Sequence, residues 1–150
     1  MEAIIFCGIQ ASGKTSFYLE RFFHTHVRLS LDLFNTRRKE LLFLESCLSL
    51  QQRFVVDNTN PTEKERRVYI QRAKDRHFKV IGYYFQSVVA DCIERNARRT
   101  GKAKVPVPGI YATKKKLEDP SLEEGFSELY QVRLEEGIFT VFTSPTQTDW

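Results

Sequence analysis

Short apolar runs alternate with longer amphipathic stretches along the whole chain. Runs rich in β-branched and aromatic residues predict five strands, at 3–7, 27–30, 54–57, 79–85 and 138–142. Apolar residues three or four positions apart predict helices between them, at 14–23, 33–49, 60 onward, 88–99 and 111–117. This alternation indicates an α/β protein with a doubly wound, parallel, five-stranded sheet and helices on both faces.

The third helix has a recognisable first turn. Asn60 is the predicted N-cap, Pro61 occupies the first helical position, and Glu63 stands where it completes a capping box. We expect three later residues of this helix to face the core, namely Val68, Tyr69 and Ala73.

The turn after the first strand carries a specific motif. Residues 8–15 read Gly-Ile-Gln-Ala-Ser-Gly-Lys-Thr, which matches the G-x-x-x-x-G-K-[ST] phosphate-binding loop between a strand and a helix. In this motif, backbone amides surround the β-phosphate, the lysine reaches the β- and γ-oxygens, and the final hydroxyl binds Mg²⁺. The sequence therefore predicts a P-loop NTPase-type fold. The candidate nucleotide-binding residues in and beside the loop are Gly8, Ser12, Gly13, Lys14, Thr15 and Ser16.

Length and composition narrow the class of protein. At 150 residues the chain is predicted to form one domain, 1–150, without an internal boundary. No apolar run approaches the length of a membrane span, and the N-terminus lacks the features of a signal peptide. Three widely spaced cysteines form neither a disulfide framework nor a zinc motif. We therefore expect a cytoplasmic protein without a membrane partner.

The positive charge is concentrated in one segment. The net charge is +4, but residues 95–116 contain eight basic residues and no acidic one, so the other 128 residues sum to −4. Pro106, Pro108 and two glycines interrupt the helical pattern within this segment. We predict a basic lid over 95–116 that closes on ATP. The alternative is a solvated, charged helix face.

Two acidic residues follow predicted strands and are candidates for chemistry. Asp32 comes after the second strand, at the edge of the sheet where ligands bind in such folds, and a carboxylate there can accept a proton from a substrate hydroxyl. The alternative role for Asp32 is to cap the helix beginning at Leu33. Asp57 ends the third strand, an arrangement typical of carboxylates that reach Mg²⁺ through a water molecule.

Several runs, taken in order, resemble the polynucleotide 5′-hydroxyl kinase family, most closely the kinase domain of polynucleotide kinase/phosphatases. The runs are the phosphate loop, Asp32, Val55-Val56-Asp57-Asn58-Thr59-Asn60-Pro61, Arg95-Asn96 with the following arginines, Val105-Pro106, and Pro120-Ser121-Leu122-Glu123-Glu124-Gly125-Phe126. The likeness covers nearly the whole chain. The run at 57–61 and the run at 122–126 are more specific than the phosphate loop, which many families share.

The resemblance implies roles for individual residues. Lys14 and Thr15 would bind ATP and Mg²⁺, and Asp32 would act as the general base. Asp57 would help to arrange the acceptor site. Arginines of the group at 95–99 would clamp the ATP phosphates from the lid. The sequence does not separate Arg98 from Arg99, so both stand beside Lys14 and Asp32 as catalytic candidates, with Arg95 as a further ATP-binding candidate.

The chain departs from the family pattern at the acceptor site. The family has an arginine three residues after the base, beside the acceptor phosphate, but this chain has Asn35. Arg38 is predicted to lie near Asn35 on one helix and to reach the same site from the next turn, or else to lie on the surface. We therefore count Asn35 and Arg38, with Asp57, as candidate substrate residues.

Three functions remain open from the sequence. The first is an ATP-dependent kinase that phosphorylates the 5′-hydroxyl end of DNA or RNA, which the basic segment and the family runs favour. The second is a small-molecule kinase with a nucleoside or sugar acceptor, which Asn35 favours. The third is a nucleic-acid-binding ATPase without an alcohol acceptor, in which Asp32 would have no purpose as a base. The sequence does not specify an oligomeric state.

Overall fold

The computed structural model describes residues 1–144, so the last six residues of the predicted domain 1–150 lie outside the described part. The six strands are β1 (Glu2–Cys7), β2 (Val27–Leu29), β3 (Phe54–Val56), β4 (Lys79–Phe85), β5 (Glu128–Glu135) and β6 (Ile138–Thr143). The six α-helices of this region are α1 (Lys14–Arg21), α2 (Leu31–Phe34), α3 (Arg37–Ser49), α4 (Glu63–Asp75), α5 (Val89–Ala97) and α6 (Val107–Lys116). Two 3₁₀ turns cover Gly101–Ala103 and Leu122–Glu124.

The strands form one sheet in the order β2-β3-β1-β4-β5-β6. The first five strands are parallel, and β6 pairs with β5 in the antiparallel sense. The predicted α/β class with a parallel-dominated sheet is therefore confirmed, with six strands instead of five. Because β1 lies between β3 and β4, the loop that follows β1 starts from the middle of the sheet, where parallel strands present their carboxyl ends to a ligand.

The missed strand is β5. The predicted strand at 138–142 corresponds to β6, the antiparallel edge strand. Strand β5 has an alternating pattern in which Tyr130, Val132 and Leu134 are separated by polar residues. A two-residue turn, Glu136–Gly137, joins β5 to β6, and both of its residues have positive φ angles, 51° and 75°. Such turns match the twist of a hairpin, so this short turn sets the register of the pair.

Alternate residues of β1 pack against the two opposite faces of the sheet. Ala3 and Ile5 lie in a core cluster with apolar residues of α3 and α4, whereas Ile4 and Phe6 pack with α1 on the other face. Because side chains alternate along a strand, a strand apolar at every position is covered on both sides. The predicted helices on both faces are therefore present.

The predicted helix at 33–49 is two helices. Helix α2 ends at Asn35, whose φ of 67° lies in the left-handed region, and Thr36 then caps α3 by accepting a hydrogen bond from the Lys39 amide. Asparagine tolerates the left-handed conformation better than most residues, which explains the break. Asn35 and Arg38 therefore do not share a helix, and the prediction that they are neighbours on one was wrong.

The predicted start of the third helix was also wrong. Its N-cap is Thr62, which forms a capping box with Glu65. Asn60 has a φ of 43°, and its side-chain amide donates to the carbonyl of Phe6 at 2.8 Å. Tyr69 and Ala73 are buried as predicted, but Val68 is 41% exposed because it lies on the outer side of the helix.

Helix α6 begins earlier than predicted. It starts at Val107, where the prolines and glycines were expected to interrupt the helical pattern, with Pro108 at the second helical position. Proline is tolerated in the first turn of a helix, where the missing amide would have no intrahelical partner. Among residues 1–144, no helix has both the length and the apolar character needed to cross a membrane.

A buried ion pair ties the Leu-Glu-Glu-Gly-Phe run to α4. The Arg66 side chain, fully buried, donates to both carboxylate oxygens of Glu124, at 2.7 and 3.0 Å. Its remaining nitrogen donates to the carbonyl of Asn60 at 2.9 Å. Loss of one partner of a buried pair leaves an uncompensated charge, which costs about 3–5 kcal/mol. This run therefore supports the sheet and the turn after β3.

Candidate active site

The phosphate loop curves from β1 into α1 at the centre of the sheet. Gly13 precedes α1 with a φ of 99°, a conformation that residues with a Cβ atom rarely adopt. A Cβ atom there would lie 3.0 Å from side-chain atoms of both Leu134 and Phe139, so these residues of β5 and β6 would have to shift by a few tenths of an ångström to make room for it. The Gly8 amide donates to the carbonyl of Thr59 at 3.0 Å and thereby joins the loop to the turn after β3.

The Lys14 side chain lies inside this loop. Its Nζ donates to the carbonyls of Gly8 at 2.9 Å and Ile9 at 2.7 Å, and lies 3.4 Å from the hydroxyl of the buried Ser12. Burial lowers the pKa of Lys14 to about 8, although the carboxylate of Asp57 partly opposes the shift. An ammonium group held only by neutral oxygens is ready to bind an anion that enters the loop.

Thr15 and Asp57 form the second part of the site. The Thr15 hydroxyl donates to Oδ2 of Asp57 at 2.9 Å, and Arg28 Nε donates to the same oxygen at 2.8 Å. The Asp57 carboxylate is almost fully buried, so these two donors offset the loss of its hydration. Mg²⁺ prefers hard oxygen ligands, and the hydroxyl and carboxylate of this pair fit that preference. Sequence reasoning missed Arg28, whose signal was a lone arginine within an otherwise apolar strand.

Asp32 lies in the first turn of α2 and lines the same cavity. The cap of this helix is Ser30, whose hydroxyl accepts from the Asp32 amide at 3.2 Å, so the suggested capping role of Asp32 was wrong. Within residues 1–144 the exposed Asp32 carboxylate has no hydrogen bond or ion pair. The cavity has a volume of about 260 Å³. Its lining brings together the loop, α2, the end of β3 and the lid: Gln10, Ala11, Lys14, Thr15, Leu31, Asp32, Asp57, Asn58, Thr59, Arg99, Lys102, Ala103 and Val105.

A buried polar cluster fixes the start of α2. The Leu31 amide donates to Oδ1 of Asn58 at 2.9 Å, and the Asn58 amide group donates to the fully buried Glu40 at 2.8 Å. The Tyr69 hydroxyl donates to the other oxygen of Glu40. Burial and this bond raise the pKa of Tyr69, which keeps the phenol protonated as a donor. The sequence signal was Glu40, which falls on the same helical face as the buried Leu44.

The basic segment 95–116, predicted to form a lid, borders the cavity with two of its cations. Arg99 lines the cavity and lies close enough to Lys14 to disfavour the charge of that lysine. Lys102 lines it from the 3₁₀ turn Gly101–Ala103. Arg98 is exposed and pairs with Glu94 at 2.7 Å, away from the cavity. The structure thus separates the two arginines that the sequence did not distinguish.

The remaining predicted site residues lie outside the cavity. Arg95 donates to the carbonyl of Ala11 in the phosphate loop at 2.6 Å and lines a neighbouring cavity of about 430 Å³. Ser16 is exposed in the first turn of α1. Asn35 and Arg38 are exposed and do not line the cavity, and Arg38 has no side-chain partner among residues 1–144.

Comparison with known proteins supports a kinase-like fold. No protein-family model matches the chain. The chain is 24% identical over 135 residues to the bifunctional polynucleotide phosphatase/kinase of Schizosaccharomyces pombe. The match covers 87% of this chain and 33% of that protein, so the chain spans about a third of the length of its relative.

Two solved structures have the same architecture. A gluconokinase from Sinorhizobium meliloti 1021 superposes with a TM-score of 0.63 at 17% identity, covering 88% of this chain and 82% of that one. Kti12 from Chaetomium thermophilum, solved in complex with ADP-AlF3, superposes with a TM-score of 0.64 at 14% identity, covering 87% and 88%. The chain therefore has the α/β fold of P-loop kinases.

The pKa of Lys14 gives a test of the phosphate loop as an anion site. Polyphosphate near Nζ will raise this pKa again, so ATP binding above pH 8 should take up a proton. Below about pH 8 the Lys14 side chain is already charged. Above about pH 8 it loses its proton, so the affinity for ATP should fall as the pH rises. Calorimetry at pH 8.5 in two buffers of different ionisation enthalpy should show an uptake of roughly half a proton or more. Lys14→Arg, which keeps its charge, is the control that should take up none, and a wild-type uptake of zero would refute the assignment.

Proposed function

We propose that this protein is an ATP-dependent kinase that transfers the γ-phosphoryl group to a hydroxyl, with the 5′-hydroxyl end of DNA or RNA as the acceptor. The observation that carries the proposal is Asp32, which lines the same cavity as Lys14 and Thr15 and whose carboxylate has no partner among residues 1–144. A site for hydrolysis alone has no need of a carboxylate placed for an alcohol. Residues of the phosphate loop and the candidate base therefore line the same cavity.

The residues around the loop are assigned to the phosphoryl donor. Lys14 exchanges the loop carbonyls for β- and γ-phosphate oxygens, and Arg99 contacts the same phosphates from the lid. Thr15 and Asp57 would hold Mg²⁺, and the ion would neutralise charge on the phosphate oxygens. Arg28 keeps the Asp57 carboxylate oriented toward Thr15. Arg95 supports the loop through its contact with Ala11.

Asp32 is assigned to the acceptor. Its carboxylate accepts the proton of the attacking hydroxyl while the acceptor oxygen forms a bond to the γ-phosphorus. The bond between the γ-phosphorus and the bridging oxygen breaks, and ADP leaves with that electron pair. The hydrogen bond from Leu31 to Asn58 holds the first turn of α2, which determines where this carboxylate points.

Two observations support a polynucleotide acceptor. The Schizosaccharomyces pombe relative is named a bifunctional polynucleotide phosphatase/kinase, and its match covers 87% of this chain. The segment 95–116 contains eight basic residues without an acidic one, and two of them, Arg99 and Lys102, line the cavity, where positive charge attracts a strand of phosphates.

A small-molecule kinase is the second candidate. Asn35 supplies no charge at the position after Asp32 where the polynucleotide kinase family has an arginine, and the gluconokinase shares the fold. A neutral sugar or nucleoside needs no cation at that position. The two candidates differ only in the acceptor.

Direct transfer of labelled phosphate separates the candidates. With γ-labelled ATP, we expect the wild type to label 5′-hydroxyl oligonucleotides of DNA or RNA, and Lys14→Ala to abolish labelling because no methyl group replaces a charge-assisted phosphate contact. Gluconate, nucleosides and oligonucleotides that already carry a 5′-phosphate are the comparison acceptors. Preferential labelling of gluconate or a nucleoside would favour the small-molecule kinase, and release of free phosphate without any labelled acceptor would indicate an ATPase.

The two neighbouring lid arginines provide a matched pair of variants. Arg99→Ala should lower kcat by about 10²-fold, because a cation beside the transferring group acts on charge that develops in the transition state. Arg98→Ala should stay within about threefold of wild type, since that side chain is exposed and pairs with Glu94. Steady-state rates at saturating ATP measure both. A larger loss in Arg98→Ala than in Arg99→Ala would reverse the assignment.

A further inference from the structure

Lys102 spans from the lid to α2. Its Nζ donates to Oδ1 of Asn35 at 2.6 Å and lies 3.5 Å from the carbonyl oxygen of Asp32. Both partners are uncharged, and Lys102 has no ion pair among residues 1–144. An exposed ammonium group therefore rests on neutral oxygens at the end of α2, directly beside the residue assigned as the base.

The other cations of the cavity are already assigned. Lys14 lies within the phosphate loop, and Arg99 is close to it electrostatically. Arg28 is paired with the Asp57 carboxylate at 2.8 Å. Among the described residues, Lys102 is the cation lining the cavity that contacts the Asp32 side, and it belongs to neither the phosphate loop nor the Asp57 ion pair.

Asn35 and Lys102 are complementary to each other. The Asn35 amide oxygen accepts a hydrogen bond from the Lys102 ammonium group, whereas a cationic side chain at position 35 would be repelled by that group. Asparagine also tolerates the left-handed φ of 67° that ends α2. This position therefore receives its positive charge from the lid.

We propose that Lys102 is the specificity-determining residue of the acceptor site and binds a phosphate group adjacent to the attacking hydroxyl. A phosphate oxygen replaces the Asn35 amide oxygen as its partner, which gives a bond between two opposite charges in place of a bond to a neutral oxygen. Because Lys102 lies on the lid, such an acceptor also holds the lid against α2. The inference rests on the proposed function and names the chemistry of its acceptor: a hydroxyl compound with a neighbouring phosphate.

The test compares two acceptors that differ by one phosphate. A nucleoside 3′-monophosphate has a phosphate near its 5′-hydroxyl, and the parent nucleoside does not. The quantity measured is the ratio of kcat/KM for the two acceptors, at saturating ATP. Lys102→Ala should lower this ratio about 10- to 100-fold relative to wild type, mainly through KM for the phosphorylated acceptor, as expected for one charge-assisted contact.

Two further variants separate charge from lid structure. Lys104→Ala removes an exposed lysine two positions away that does not line the cavity, and it should keep the wild-type ratio. Lys102→Arg keeps the charge and should restore most of the selectivity. An unchanged ratio in Lys102→Ala, or equal losses for both acceptors, would overturn the assignment. Failure of the proposed function has a different signature: the wild type would transfer phosphate to neither the nucleoside 3′-monophosphate nor the nucleoside. That result would also overturn the assignment of Lys102.

Discussion

The hydrogen bond between the Thr15 hydroxyl and the Asp57 carboxylate connects the two halves of the site. It joins the first turn of α1 to the end of β3, two elements separated by 42 residues in the chain. A buried carboxylate is unfavourable unless it is compensated, and here Thr15 and Arg28 share one oxygen of Asp57. The Gly8 amide adds a backbone bond to the same turn through Thr59. The parallel pairing of β1 with β3 makes both contacts possible, because it brings the ends of the two strands together.

The turn after β3 extends this constraint in two directions. Asn58 binds the start of α2 and the buried Glu40, so it sets the orientation of the helix that carries Asp32. Two residues later, Asn60 binds the end of β1 and accepts from the buried Arg66. In the Asp-Asn-Thr-Asn-Pro run, the side chains of Asp57, Asn58 and Asn60 bind separate polar partners, and the backbone carbonyl of Thr59 accepts from Gly8. The same contacts explain why the distant Leu-Glu-Glu-Gly-Phe run accompanies it, since Glu124 is the carboxylate partner of Arg66.

Local sequence patterns were sufficient to predict the structural features that depend on residues close together in the chain. The apolar run of β1, the glycines of the phosphate loop and the class of fold follow from periodicity and from a motif of fixed spacing. The break at Asn35 was missed because helical periodicity continues across it, and only the backbone conformation reveals the left-handed residue. Strand β5 was missed although its alternation and the turn at 136–137 are visible in the sequence. The strand follows the conspicuous run at 122–126 and carries several charged residues.

The site-residue assignments that could not be predicted from the sequence depend on long-range contacts. Arg98 and Arg99 are adjacent and chemically identical, and only the packing of α5 against the loop decides which of them reaches the cavity. The contact between Lys102 and Asn35 joins residues 67 positions apart, and neither belongs to a motif. Helix-cap prediction failed at Asn60 for a related reason, since its amide serves a tertiary contact with Phe6.

The most direct test of the account is a measurement of Asp32→Asn under single-turnover conditions. The substitution keeps the shape of the side chain and removes its ability to accept a proton. If Asp32 is the general base, transfer to a 5′-hydroxyl oligonucleotide should slow by about 10²-fold or more, while the affinity for ATP, measured by calorimetry, should stay within about threefold of wild type. Transfer at a rate close to wild type, or a parallel collapse of ATP binding, would contradict the account, because Asp32 would then be either dispensable or structural.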